Sequence, residues 1–257
     1  MNMTSGSDLA IPLLAAGGGA SAGPSAVFVH GLASAGRSWA GFARTLPAGL
    51  GWAAVDLPGH GRSGRRKPYS FGHMATEVGR VCATLPGPVT VVGHSLGGAV
   101  ALLVGTGLFG ADVQRVVTIG TKVRWTDAEI QRARAVAAKP AKVFGGRDDA
   151  LDFWRRVAGV PGDVALGDEL VADVLAEDDG GWRLSYDPAV AGLGAAPVPE
   201  LTAMNAAEVV VVRGELDELL TAADADAAGG GAVVTVPGCG HSPHVQDPRL
   251  LATLLGY

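Results

Sequence analysis

An α/β fold, with a mostly parallel central sheet flanked by helices, is predicted by three features of the 257-residue sequence. Six short apolar runs rich in β-branched residues punctuate the chain, at 26–29, 52–55, 89–92, 115–119, 208–212 and 232–236. Segments with helical spacing, at 38–46, 72–85 and 96–108, separate most of them. Apart from Arg115 and Glu208 at the start of two of them, the runs are mostly apolar rather than alternating, as expected of strands covered by helices on both faces. The first 25 residues are expected to add one or two antiparallel edge strands.

The alternation breaks once. Between Ile119 and Glu208 the sequence carries helical patterns at 127–138 and 150–157 but no clear strand, and a connection of that length needs structure of its own. Residues 122–204 are therefore expected to form an inserted helical cap, with 1–121 and 205–257 making the core. The insert contains Trp125, Phe144, Phe153, Trp154, Trp182 and Tyr186. These aromatics either line an apolar pocket or form the insert's own small core; Trp125 and Trp154 are the candidate substrate-binding residues.

Composition excludes several functions. Hydrophobic residues make up 48% of the chain, enough for a sizeable core, and the 39 glycines show no three-residue period. With 20 Lys and Arg against 25 Asp and Glu, the net charge of -5 offers no global positive field for nucleic acid or anionic membranes. The basic knot Arg62, Arg65, Arg66 and Lys67 is short and reads as a solvated loop. Two cysteines, Cys82 and Cys239, are too few for a zinc site or a disulfide framework and suit a reducing compartment. The first basic residue is Arg37, and no stretch has about 20 uninterrupted apolar residues, so neither signal peptide nor membrane span is expected and a cytoplasmic location is.

The motif with chemical content is Gly93-His94-Ser95-Leu96-Gly97, directly after one run and before a helical pattern. A strand turning sharply into a helix puts the residue at the bend into positive φ, and its neighbours two places away must lack a Cβ. Ser95 then stands at a helix N-terminus, where developing negative charge is favoured. The run ending in His30-Gly31 offers the Leu32 backbone N–H beside that of Leu96, a pair of oxyanion donors. Downstream runs end in Gly214-Glu215-Leu216-Asp217 and in Gly238-Cys239-Gly240-His241, which supply a carboxylate and an imidazole. His94, His60 and His30 are expected to serve local structure. His241 and His244 are spaced i, i+3 but lack a third ligand, so no metal is expected. Gly59-His60-Gly61-Arg62-Ser63-Gly64 mimics a dinucleotide fingerprint, yet Arg65-Arg66-Lys67-Pro68 follows in place of a helix, and no cofactor is expected.

These residues resemble the α/β-hydrolase family of serine hydrolases, the esterase- and lipase-like capped members above all. His30-Gly31, the stretch 56–63, Gly93 to Gly98, Gly214 to Asp217 and Gly240-His241 with Asp247-Pro248 fall in the family's order. The resemblance implies Ser95 as nucleophile, His241 as general base and acid, and Asp217 as the carboxylate orienting His241, although Glu215 and Glu218 flank it. Leu32 and Leu96 match the backbone oxyanion donors. It further implies hydrolysis of a small carboxylic ester, lactone or thioester through an acyl-enzyme on Ser95. Two alternatives stand beside it: a C–C bond hydrolase, with Arg124 or Arg155 as the candidate extra polar group, and a ligand-binding receptor with slow turnover. The partner is a small molecule, with no nucleic acid and no membrane; oligomeric state is not legible.

Overall fold

The computed structural model describes residues 13–17 and 25–257, apart from 179. In chain order its elements are β1 (Leu13–Gly17), β2 (Ser25–Val29), α1 (Ala40–Ala43), β3 (Gly51–Val55), α2 (Phe71–Cys82), β4 (Val89–His94), α3 (Leu96–Gly105) and β5 (Val113–Ile119). They continue with α4 (Asp127–Ala137), α5 (Arg147–Ala158), α6 (Asp168–Val174), β6 (Leu175–Asp178), β7 (Gly181–Leu184) and α7 (Val198–Ala203). β8 (Glu208–Gly214), α8 (Ala222–Ala227), β9 (Ala232–Val236), α9 (Pro243–Gln246) and α10 (Pro248–Leu255) complete the chain.

Seven strands form one sheet in the order β1-β3-β2-β4-β5-β8-β9, with β1 antiparallel to β3 and every other pair parallel. All six apolar runs are strands of this sheet, and β1 supplies the antiparallel edge expected near the N-terminus; the rest of the first 24 residues lies outside the described ones. Side chains of a strand alternate between faces. Val27, Val29, Val209 and Val211 accordingly pack against Met74 and Val78 of α2 and Leu102 of α3. Phe28, Val210 and Val212 pack on the opposite face with Trp39, Phe42 and Leu251. Phe28 stacks on Trp39 at 5.2 Å between ring centroids, and Phe42 meets it edge-on at 5.6 Å.

The chain passes from β2 outward to β3 and then returns to β4 on the other side of β2. Strand order reverses there, and in open parallel sheets the crevice at such a reversal, beyond the strands' C-terminal ends, is where ligands bind. Asp56, fully buried just past β3, organises the loops on this edge. Its two carboxylate oxygens accept the Gly36 and Arg62 backbone N–H groups, each at 2.8 Å, and its carbonyl accepts the Ser63 hydroxyl.

The segment between β5 and β8 departs from the expected all-helical insert. It holds α4, α5, α6 and α7, but also the antiparallel hairpin of β6 and β7. Only four residues long, with the turn at Gly180 and Gly181, these strands are too short to show a period against helical neighbours. Phe144, Phe153, Trp182 and Tyr186 pack with Leu170 and Val174 into a separate core.

The 59–64 loop, whose glycines mimic a dinucleotide fingerprint, is fastened to this segment instead. Gly61 N–H donates to the Ser185 carbonyl at 2.7 Å, and Asp187 N–H donates to Gly59 at 2.8 Å. The basic knot that follows is exposed, but it is not simply solvated. Arg62 pairs with Asp173 at 3.0 Å and Lys67 with Asp187 at 3.5 Å.

Replacing Asp56 with Ala strands the buried Gly36 donor at about 1–3 kcal/mol and the part-buried Arg62 donor at about 1 kcal/mol. Urea denaturation is expected to show a loss of about 2–4 kcal/mol for the pair. A loss below about 0.5 kcal/mol means that the loops do not depend on this carboxylate.

Candidate active site

The C-terminal ends of β2, β4, β8 and β9 carry the four sequence-predicted groups. Ser95, between β4 and α3, has φ 51° and ψ -114°, a conformation L residues rarely adopt. The bend is tolerated because its flanks are bare: a Cβ on Gly93 would collide with the Gly97 carbonyl, and one on Gly97 with the Val29 and His30 carbonyls. Ser95 is pinned by its own N–H donating to Ile119 O at 2.8 Å and by Thr121 Oγ1 donating to its carbonyl at 3.2 Å. Its Oγ therefore stands at the N-terminus of α3, which is buried along Gly97 to Leu102.

Asp217 follows β8 and His241 follows β9. The loops are stitched together by Glu215 N–H donating to Val236 O at 3.0 Å and Leu216 N–H donating to Cys239 O at 2.8 Å. His241 Nδ1–H donates to Asp217 Oδ2 at 3.1 Å, both side chains being buried, and Asp217 Oδ1 accepts the Leu219 N–H at 2.9 Å. That bond turns the His241 Nε2 lone pair away from Asp217, the tautomer a base requires. The neighbouring acid Glu215 instead accepts the Gly238 N–H at 2.9 Å.

Ser95 and His241 line one cavity of about 220 Å³, together with Leu32, Lys122, Trp125 and Trp154. A second cavity of about 100 Å³ shares Ser95, Leu32, Lys122 and Trp125 and adds Leu96. Among the described residues no hydrogen bond joins Ser95 Oγ to His241; such contacts are often long before substrate binds. The Leu32 and Leu96 N–H groups have no internal acceptor among the described residues either, which leaves both donors free beside Ser95. The site thus holds a serine hydroxyl at a helix N-terminus, an imidazole bonded to a carboxylate and two backbone amides without an internal acceptor among the described residues.

Of the two candidate tryptophans, Trp125 lies on both cavities, while Trp154 is almost fully buried and belongs both to the cavity wall and to the inserted segment's own core. Arg124 and Arg155 line neither cavity. Arg124 pairs with Asp224 at 3.1 Å, and Arg155 donates to the Pro161 and Val164 carbonyls. Sequence reasoning passed over Lys122, the ammonium in both linings. It pairs closely with Glu129 and lies 5.1 Å over the Trp125 ring. Its place directly after a strand's C-terminal end was the available signal.

The other histidines are structural. His94 Nε2–H donates to the His241 carbonyl at 3.0 Å, and its ring packs 4.5 Å from His244. His30 bridges the Gly31 carbonyl and the Leu57 N–H, and His60 reaches the Pro58 carbonyl at 3.3 Å. Burial pushes all four below the ordinary histidine value of 6.5, with the neighbouring imidazoles lowering His60 and His94 further and His244 reaching about 3. Among the described residues no group of three or more His, Cys, Asp or Glu is placed to hold a metal ion. Nor is any helix among them long and apolar enough to cross a membrane.

Such a sheet, with this elbow and these loop-end groups, defines a class of protein, and the match to the alpha/beta hydrolase family over residues 26–254 places this chain within it. The chain is similar to a bifunctional biotin-biosynthesis protein of Teredinibacter turnerae, 26% identical across 89% of this chain and 43% of that protein. It is also similar to a lipase of Mycobacterium tuberculosis, 33% identical across 63% of each, so the chain spans less than two thirds of either relative. A shorter match, 39% identical over 31% of this chain and 30% of the other, is to a pimeloyl-[acyl-carrier protein] methyl ester esterase of Methylococcus capsulatus. Among solved structures, the thioesterase domain from the curacin biosynthetic pathway superposes with a TM-score of 0.76 at 22% identity over 93% of each chain. E-2-(acetamidomethylene)succinate hydrolase gives 0.76 at 22% identity over 94% of each.

The lowered histidines make stability depend on pH. The unfolded chain binds protons at these groups below about pH 6.5, whereas the folded protein keeps them neutral, so unfolding gains protons and stability falls as the pH drops from 6.5 toward 3. Thermal melts are expected to show Tm falling steadily across that window, with a shallower slope in His244→Phe. A Tm unchanged from pH 7 to 4 contradicts the burial of neutral imidazoles.

Proposed function

We propose that the protein is a serine hydrolase that cleaves a small carboxylic ester, or a thioester or lactone, through an acyl-enzyme on Ser95. The observation that carries this reading is the Asp217–His241 pair opening onto a cavity that Ser95 also lines. His241 takes the Ser95 proton as Oγ attacks the substrate carbonyl, and the Leu32 and Leu96 amides receive the oxyanion. The bond to the leaving group then breaks as His241 returns that proton to it. Water, deprotonated by His241 in turn, attacks the acyl carbon and releases the acid and free Ser95.

The named activities of the relatives, a lipase and a methyl ester esterase, support an ester bond. C–C cleavage loses its two candidate groups, since Arg124 and Arg155 are tied elsewhere. Residues 122–204 act in this reading as a cap. Its support is that Lys122, Trp125, Trp154 and Val160 wall the cavity at Ser95.

A fluorophosphonate probe, which exchanges its fluoride for Ser Oγ, is expected to add one phosphonyl group to the wild type and none to Ser95→Ala or His241→Ala by intact mass. Ester turnover in those variants is expected to fall by about 10³ to 10⁶. A folded wild type that takes no label overturns the acyl-enzyme reading.

A further inference from the structure

The two cavities meet at Ser95 but are not equivalent, and the difference distinguishes the two halves of the substrate. His241 lines the larger, of about 220 Å³, and is absent from the lining of the smaller, of about 100 Å³. Acyl transfer makes the imidazole hand its proton to the departing oxygen or sulfur, so the leaving group must lie on the imidazole's side of the carbonyl carbon. The acyl chain then has only the other direction open. We propose that the smaller cavity, walled by Phe71, Ala99, Val190, Ala191 and Leu193, receives the acyl group and that the His241-side cavity receives the leaving group. The substrate is thereby an ester or thioester of a compact apolar acid with a bulkier leaving group. This assignment rests on the acyl-enzyme reading above.

Charge agrees with size. Lys122 reaches both cavities, yet its ammonium is already matched by Glu129, whose carboxyl is held down to about 2 chiefly by that lysine and then by the Thr126 N–H and hydroxyl. The remaining acyl-side wall is carbon apart from the Thr121 and Ser95 hydroxyls, the Trp125 indole N–H and backbone. No unmatched cation therefore waits there for a charged acyl chain, and a buried carboxylate without one would be costly. Ala191 is half-buried on the acyl side and Val157 is exposed on the rim of the leaving-group side, so either position takes a larger side chain without entering the sheet's core.

The test crosses two ester series, one varying the acyl length with methanol as alcohol and one varying the alcohol with acetate as acyl group. kcat/KM is read for the wild type, Ala191→Phe, Leu193→Ala and Val157→Trp. In the wild type the acyl optimum is expected to be shorter than the alcohol optimum. Ala191→Phe is expected to lower kcat/KM for the longest accepted acyl chain tenfold or more with the alcohol series unchanged, and Leu193→Ala to lengthen the acyl optimum. Val157→Trp is expected to penalise long alcohols alone. Crossed effects, or equal effects on both series, overturn the assignment. Fluorophosphonate labelling of Ser95 in the same samples separates the two failures, since labelled protein with crossed effects loses only the assignment, and unlabelled protein loses the hydrolase reading with it.

Discussion

The positive-φ bend at Ser95 is the constraint on which the site depends. It is strained for a residue with a Cβ, and it persists because the surrounding backbone leaves no alternative. The Gly97 carbonyl fills the space beside Gly93, and the Val29 and His30 carbonyls fill the space beside Gly97, so β4, β2 and the start of α3 approach to backbone contact. That closeness brings Leu32, Ser95 and Leu96 to the lining of one cavity at the strand-order reversal. A bulkier pair of residues would push the helix off the sheet and move the Ser95 hydroxyl from its place.

The imidazole is held from three directions. Asp217 fixes its Nδ1, His94 holds its carbonyl, and the inserted segment closes behind it. The C-terminal end of α5 reaches this loop directly: Ser242 Oγ donates to the Ala158 carbonyl, and Gln246 Nε2 donates to the Gly159 carbonyl at 3.0 Å. Gly159 ends the helix in the left-handed region, where a Cβ would press on that of His241. The segment that walls the cavities at Ser95 thus also sets the position of His241. The second anchor of the segment is the loop after β3, through the Gly61–Ser185 and Asp187–Gly59 backbone bonds and the Arg62–Asp173 pair.

Dense internal bonding of this kind has a consequence for the histidines. Five of the six are buried, and four of these are held neutral by desolvation, with His94, His241 and His244 within 5 Å of one another by ring centroid along the 94–241 and 94–244 contacts. Neutral imidazoles can pack like small aromatics while still donating one hydrogen bond, which is the use made of His94 and His30. The sequence shows why they are easily misread: His94, beside Ser95 in the elbow, has the composition of a reacting group and the contacts of a strut.

Much of this protein was written in the sequence because the relevant rules are local. Apolar β-branched runs mark the strands, buried on both faces except at the β9 edge, a G-x-S-x-G after such a run marks the elbow, and Asp217 and His241 each follow the end of a run by a few residues. The strands of the main sheet, the helices up to α5 and the groups at the strand ends are recoverable from spacing, whereas α6 to α10 were not read. Strand order, the β6–β7 hairpin, the fastening of the 59–64 loop to the inserted segment, and the placement of Lys122 between two unequal cavities are not. Each depends on residues more than fifty positions apart, or on strands of four residues, and neither distance in space nor so short a run leaves a period in the sequence. Only the packed chain decides which side of Ser95 faces His241, because that side is defined by contacts between β4, β9 and the inserted segment rather than by any one of them.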